Sequence, residues 1–311
     1  MVAYIFPGQG SQYVGMGKDL AAQYPAAREL FERADAALGI HLSKICFEGS
    51  EEDLKQTKNT QPAIFLHSMV VWNLLQPQDA AMTAGHSLGE YSALVAAGAI
   101  AFEDALRIVR LRGELMQIAG EENPGTMAAV VGLDATAIDG VCAEASAAGI
   151  VQAANFNSPG QIVISGSVDG VHKAMEIAKQ RGAKLVKELV VSGAFHSPLM
   201  TSAKFALKAA LRETKIRDAA IPVYANVTAA PVQDAEEIRS LLVEQVTSPV
   251  RWEESIGAIA RAGAAAFVEV GPGTVLQGLA KRIIPGVRAE GCDTAEDVRA
   301  RLAEHRVGES V

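Results

Sequence analysis

The pentapeptide Gly85-His86-Ser87-Leu88-Gly89 follows a weak apolar run, residues 80–84, and opens a helical pattern over 90–97. This is G-x-S-x-G in a strand-to-helix setting, where a serine on a sharp turn stands exposed as a nucleophile. The glycines permit the turn, and the amide of Leu88 falls at a helix N-terminus, where unpaired donors and the dipole favour an oxyanion. The same five residues also occur as a plain strand-to-helix turn, so the pattern needs a partner base before it means catalysis.

The sequence holds six histidines, at 41, 67, 86, 172, 196 and 305. His41, His67 and His172 lie in helix-like or amphipathic segments and His305 in a charged tail, where a polar surface or half-buried role suffices. His86 adjoins the serine, so on a sharp turn its side chain points away from Ser87 and suits a framing role. His196 remains. It follows Ser192-Gly193-Ala194-Phe195 at the end of a strand pattern and precedes Ser197-Pro198, a loop of the kind that holds functional groups. No aspartate completes a triad motif, so a backbone or side-chain oxygen must orient His196 if it is the base.

Arg112 stands out by periodicity. Over residues 102–119 the helical period gathers Ala105, Ile108, Val109, Leu115, Met116 and Ala119 into one apolar arc with Arg112 near its centre. A guanidinium on a buried face needs an anion, because an unpaired buried charge costs several kcal/mol. That anion is either a structural carboxylate or the carboxylate of a substrate, held bidentately. The loop Phe6-Pro7-Gly8-Gln9-Gly10-Ser11-Gln12 lacks the third glycine of a dinucleotide fingerprint and any Walker lysine. One of its amides can instead supply a second oxyanion donor beside Leu88.

The elements that must position these groups read as α/β. A buried strand over 2–6 ends in the glycine loop, helical patterns cover 18–23, 26–38 and 61–75, and Pro62 suits the first turn of the last. Residues 127–191 read strand, helix, strand, strand, helix, strand, the ferredoxin-like order. The expectation is therefore a large α/β-hydrolase-like domain built from residues 1–122 and 198–311, with a small ferredoxin-like subdomain inserted at 123–197. Alternation of strand and helix resumes after the insertion at 199–213, 223–227, 234–245, 252–262 and 266–270, and the chain beyond Arg288 is expected to be peripheral.

With 49% apolar and 21% charged residues in 311, the chain is too apolar for disorder and long enough for a large core. The net charge of −8 gives no reason to expect nucleic acid or an anionic membrane as a partner. Cys46, Cys142 and Cys292 are odd in number and lack a C-x-x-C pair, which argues against disulfides and structural zinc and suits a cytoplasmic protein. The N-terminus lacks the basic and apolar regions of a signal peptide, and no uncharged stretch is long enough to span a membrane.

Seven segments in order resemble the malonyl-CoA:acyl-carrier-protein transacylases and the related acyltransferase domains of polyketide synthases, over nearly the whole chain. They are Phe6-Pro7-Gly8-Gln9-Gly10-Ser11-Gln12, Gly85-His86-Ser87-Leu88-Gly89-Glu90-Tyr91, Arg112-Gly113 before Met116, Asn155-Phe156-Asn157-Ser158-Pro159-Gly160-Gln161, Ala194-Phe195-His196-Ser197, Gln245 before Pro249-Val250, and Glu269-Val270-Gly271-Pro272-Gly273. The resemblance implies Ser87 as nucleophile, His196 as base, and the backbone carbonyl of Gln245 as the group orienting the imidazole. It further implies an oxyanion hole from the amides of Gln9 and Leu88, and Arg112 as the holder of the malonyl carboxylate. Phe195, before the histidine, matches the malonyl form of a position where serine accompanies methylmalonyl, and His86 is expected to line the substrate site.

The implied reaction is ping-pong transfer of malonyl from malonyl-CoA to the phosphopantetheine thiol of an acyl carrier protein, in fatty acid biosynthesis, by a monomer needing no cofactor or metal. Stand-alone enzymes of polyketide assembly or malonate metabolism carry much the same motifs. A serine esterase or thioesterase would share nucleophile, base and oxyanion hole but has no use for Arg112. Carrier proteins of this kind are acidic, so docking requires a local basic patch, expected from Lys184, Lys187, Lys281 and Arg282.

Overall fold

The computed structural model describes residues 1–308, with side chains through 304. The expectation for His305 therefore lies outside the described side chains. The chain begins with β1 (Val2–Phe6), α1 (Lys18–Gln23), α2 (Pro25–Leu38), α3 (Leu42–Glu48), α4 (Glu51–Lys55) and α5 (Thr57–Leu75). It continues through β2 (Ala80–Gly85), α6 (Gly89–Ala96) and α7 (Phe102–Glu122). A second unit follows: β3 (Gly125–Val131), α8 (Ala135–Ala145), β4 (Val151–Ser158), β5 (Gln161–Ser167), α9 (Val168–Gln180) and β6 (Leu185–Glu188). After a 3₁₀ turn at Pro198–Met200 come α10 (Thr201–Glu213), β7 (Val223–Tyr224), β8 (Pro231–Val232), α11 (Ala235–Gln245) and α12 (Trp252–Arg261). The chain closes with β9 (Ala266–Val270), α13 (Val275–Ile283), β10 (Arg288–Cys292) and α14 (Ala295–Gly308).

The large sheet has the order β10-β9-β1-β2-β7-β8, parallel except for β8. Its central strand buries both faces by simple alternation: Tyr4 and Phe6 join the cluster beneath α5 and α7, while Ala3 and Ile5 join Trp252, Ile256 and Leu279 on the other side. The small sheet has the order β4-β5-β3-β6, is antiparallel throughout, and packs one face on α8 and α9. A large α/β domain with a separate ferredoxin-like sheet is thus the architecture of the chain. None of the described helices is long and apolar enough to cross a membrane.

Four readings of the sequence need correction. The helix expected at 61–75 starts at Thr57, so Pro62 lies inside it and not in its first turn. Proline leaves the carbonyl four residues back without its helical donor. That carbonyl, on Lys58, accepts from Arg110 Nη1 at 2.9 Å, which is why the helix runs through. The strand expected at 185–191 stops at Glu188, and residues 189–192 leave the sheet along the cleft between the two units. The strand expected at 223–227 is only two residues long, because the chain turns at Asn226 to meet β2 and α6. Finally, the region beyond Arg288 is not peripheral: β10 is an edge strand of the large sheet and buries Ala289 and Cys292, while α14 buries Ala295 and Val298.

Candidate active site

Ser87 sits on the turn from β2 to α6 with φ of 51°, a left-handed conformation uncommon for any residue but glycine. The flanking glycines are there because there is no room: a Cβ on Gly85 would lie 1.9 Å from the backbone of Gly89, and one on Gly89 would lie 2.1 Å from the carbonyl oxygen of Phe6. Asn226 fixes the turn from the side, its Oδ1 accepting from the Ser87 amide at 2.7 Å and its Nδ2 donating to the Gly85 carbonyl at 2.7 Å.

Ser87 Oγ and His196 Nε2 are 2.8 Å apart. On the opposite side of the ring, Nδ1 lies 2.9 Å from the Gln245 carbonyl and 3.1 Å from that of Ser248. Both neighbours of Nδ1 are acceptors, so the ring proton belongs on Nδ1, and Nε2 turns a lone pair to the serine hydroxyl. Burial first, then the charge of Arg112, pushes the His196 pKa down to about 3, while the two carbonyls work the other way. The imidazole is therefore neutral near pH 7 and able to accept a proton. The loop is held by the small unit, where Gln152 Nε2 on β4 donates to the His196 carbonyl at 2.8 Å.

Arg112 is 1% exposed. Its Nη1 donates to Gln61 Oε1 at 2.8 Å, and its Nη2 to Gln245 Oε1 at 3.0 Å and Ser87 Oγ at 3.1 Å. The Tyr91 ring lies 5.7 Å from the guanidinium carbon. Every one of these acceptors is uncharged, so of the two anions open to it from sequence, the structural carboxylate is not among its hydrogen-bond partners. Arg112 presents a positive charge beside the serine instead.

The cavity of about 200 Å³ in front of Ser87 lies between the two units. Gln9, Leu88 and His86 border it with Ser87, Arg112 and His196, while Met127 and Val163 of the small sheet, Val191 and Phe195 form an apolar wall. The amides of Gln9 and Leu88 donate to no other group among the described residues. His86 is not bonded to Ser87; its Nε2 meets Asn157 Oδ1 at 2.9 Å and its ring tilts against Trp252, so it joins the units as a frame. Seven of the eight residues singled out from sequence therefore line one cavity, and the eighth, Gln245, is buried behind it against His196 and Arg112.

Sequence reasoning missed Gln61, Asn226, Ser248, the role of Glu90 and the side chain of Gln245. Gln245 Nε2 donates to the Ser87 carbonyl at 2.9 Å and to Glu90 Oε2 at 2.8 Å, while its Oε1 holds Arg112. Glu90 is buried and also accepts from the Asn226 amide at 3.0 Å. Burial raises its carboxyl to about 7, against these two donors and the Arg112 charge. Glu90 directly follows the serine motif, and a carboxylate there, inside an otherwise apolar helix, was the one sequence signal available. The arrangement can carry out acyl transfer through serine with a substrate bearing a second, anionic group.

The chain matches the acyl transferase domain family model over residues 3–298. It is 49% identical to the malonyl CoA-acyl carrier protein transacylase of Bacillus subtilis, covering 91% of this chain and 90% of that one, and 43% identical to that of Escherichia coli K12, covering 96% and 98%. Among solved structures, the acyl-carrier-protein-S-malonyltransferase of Bartonella henselae superposes with a TM-score of 0.93 at 44% identity, covering 97% and 98%. A malonyl-transacylase in complex with its type II PKS acyl-carrier protein superposes with a TM-score of 0.94 at 41% identity, covering 97% and 99%.

Proposed function

The chain belongs to the acyl transferase domain family, and we propose that it moves malonyl from malonyl-CoA to the phosphopantetheine thiol of an acyl carrier protein through a malonyl ester of Ser87. The observation that carries this reading is a buried arginine, hydrogen-bonded to neutral side chains alone, 3.1 Å from the nucleophile. A free carboxylate on the acyl group satisfies it, and a neutral acyl group does not.

In the first half-reaction His196 Nε2 takes the hydroxyl proton as Ser87 Oγ bonds to the thioester carbon. The carbonyl oxygen becomes an oxyanion held by the amides of Gln9 and Leu88, each worth about 3 kcal/mol in the transition state. The C–S bond then breaks, and the imidazolium returns its proton to the departing CoA sulfur. In the second half the pantetheine thiol gives its proton to His196 and attacks the ester carbon, and Ser87 leaves with that proton. Arg112 and the wall from Phe195 hold the malonyl group through both halves, and His86 frames the cleft.

Intact-mass measurement after mixing with malonyl-CoA is expected to show one malonyl adduct, discharged on addition of holo carrier protein. Rapid release of free malonate without carrier would establish a hydrolase instead, and no adduct would reject both. Competition between fatty acid and polyketide carriers assigns the pathway, which we take to be fatty acid biosynthesis. The free, buried cysteines suit the cytoplasmic location that goes with it. We assign residues 123–197 as the inserted subdomain and the remainder as the catalytic domain.

For docking we propose the exposed cations Lys184, Lys187, Lys281 and Arg282. Lys187 lies on β6, and Arg282 at the end of α13 donates to Gln161 Oε1 of β5 at 2.6 Å, so the set spans both units. Charge reversal of the four is expected to raise the carrier KM about tenfold and leave malonyl-enzyme formation unchanged. Carrier kinetics equal to wild type would reject the patch.

A further inference from the structure

The guanidinium of Arg112 is aimed by two neutral amides, since its Nε has no acceptor and Nη1 and Nη2 are bonded to Gln61 and Gln245. A glutamine amide can point either way round, so something must fix which end of Gln245 faces the arginine. That group is Glu90. Its Oε2 accepts from Gln245 Nε2 at 2.8 Å and from the Asn226 backbone amide at 3.0 Å. With the NH₂ end of Gln245 occupied by Glu90 and by the Ser87 carbonyl, Oε1 is left to face Arg112. Reversed, the amide would set its oxygen against a carboxyl oxygen and its NH₂ against a guanidinium, two buried mismatches.

We propose that Glu90 is a positioning residue for the malonyl carboxylate, fixing Arg112 through the side-chain amide of Gln245. It rests on the malonyl transfer reading and names a determinant of acyl selectivity within it. Glu90, Gln245, Asn226 and Arg112 are all at most 2% exposed, so water cannot substitute for a missing partner without entering the core. Glu90 also reaches the serine turn through Asn226, and a purely structural role along that route acts on every acyl group alike. The route through Gln245 acts only on an acyl group that uses Arg112. This difference separates the two.

The experiment compares acylation by malonyl-CoA and acetyl-CoA in wild type, Glu90→Met, Glu90→Gln, Gln245→Met and the Glu90→Met/Gln245→Met double variant, with folding followed by circular dichroism. Glu90→Met, or Glu90→Ala if the methionine chain does not accumulate folded, is expected to raise the malonyl-CoA KM at least tenfold and to change acetyl-CoA kinetics less than threefold. Glu90→Gln retains an acceptor oxygen and is expected to restore malonyl KM to within threefold of wild type. In the Gln245→Met background, loss of Glu90 is expected to add nothing further to the malonyl KM. Equal losses for both thioesters, failure of Glu90→Gln to rescue, or additive effects in the double variant would each overturn the assignment of Glu90 alone. A wild-type enzyme that forms no malonyl adduct overturns the parent reading, and this one with it.

Discussion

Replacing Arg112 by alanine is expected to lower kcat/KM for malonyl-CoA by about a hundredfold or more while leaving acetyl-CoA within a few fold of its wild-type value. The magnitude follows from removing one member of a buried charge pair, which costs about 2–5 kcal/mol, at tenfold for each 1.4 kcal/mol. The asymmetry follows from geometry. Malonyl brings its own carboxylate to a guanidinium otherwise held by Gln61, Gln245 and Ser87, whereas acetyl leaves those bonds as they are. Removing the charge also relieves one of the influences holding down the His196 pKa, so the base stays competent or strengthens. Steady-state kinetics with both thioesters decide the matter. Equal losses for malonyl and acetyl would show that Arg112 supports the site and does not select its substrate.

The second large effect is expected at the nucleophile and base. Ser87→Ala and His196→Ala should each reduce malonyl transfer on the order of 10⁴-fold or more, and the double variant should be no worse than Ser87→Ala. The two act as a unit across the 2.8 Å contact, so removing the second member of a broken pair has nothing left to remove. Single-turnover acylation followed by rapid quench measures all three. A double variant slower than either single by the product of their losses would mean that His196 works on a different step from Ser87.

The legible part of this site was the part written in adjacent residues or in a period. The serine turn is dictated by steric exclusion at Gly85 and Gly89, only four residues apart, so five contiguous letters carry its geometry. Arg112 showed itself as a charge at the centre of an apolar arc, and it is indeed buried. The amide network was illegible for the opposite reason. Glu90 meets Asn226 across 136 positions and Gln245 across 155, and neutral polar side chains leave no periodic trace. In the fold, α3 and α4 span seven and five residues, too short for a helical period to emerge. Strand β10 was hidden by its composition, since Arg288 and Glu290 read as a charged segment while Ala289 and Cys292, three residues apart, are buried on opposite faces of the sheet and leave no period of two. The proline rule misplaced the start of α5 because the deciding group, Arg110, lies on another helix.

The two carbonyl oxygens at His196 Nδ1 carry a kinetic meaning for the proposed cycle. A carboxylate in their place would stabilise the imidazolium with a full negative charge; carbonyl dipoles do so with partial ones, and the ring stays a feeble base. An imidazolium stabilised this loosely is a ready acid, so a proton taken from the attacking group is handed on quickly to the departing one. The one ring can therefore serve both halves of the cycle, passing its proton to the CoA sulfur in the first and to the Ser87 oxygen in the second.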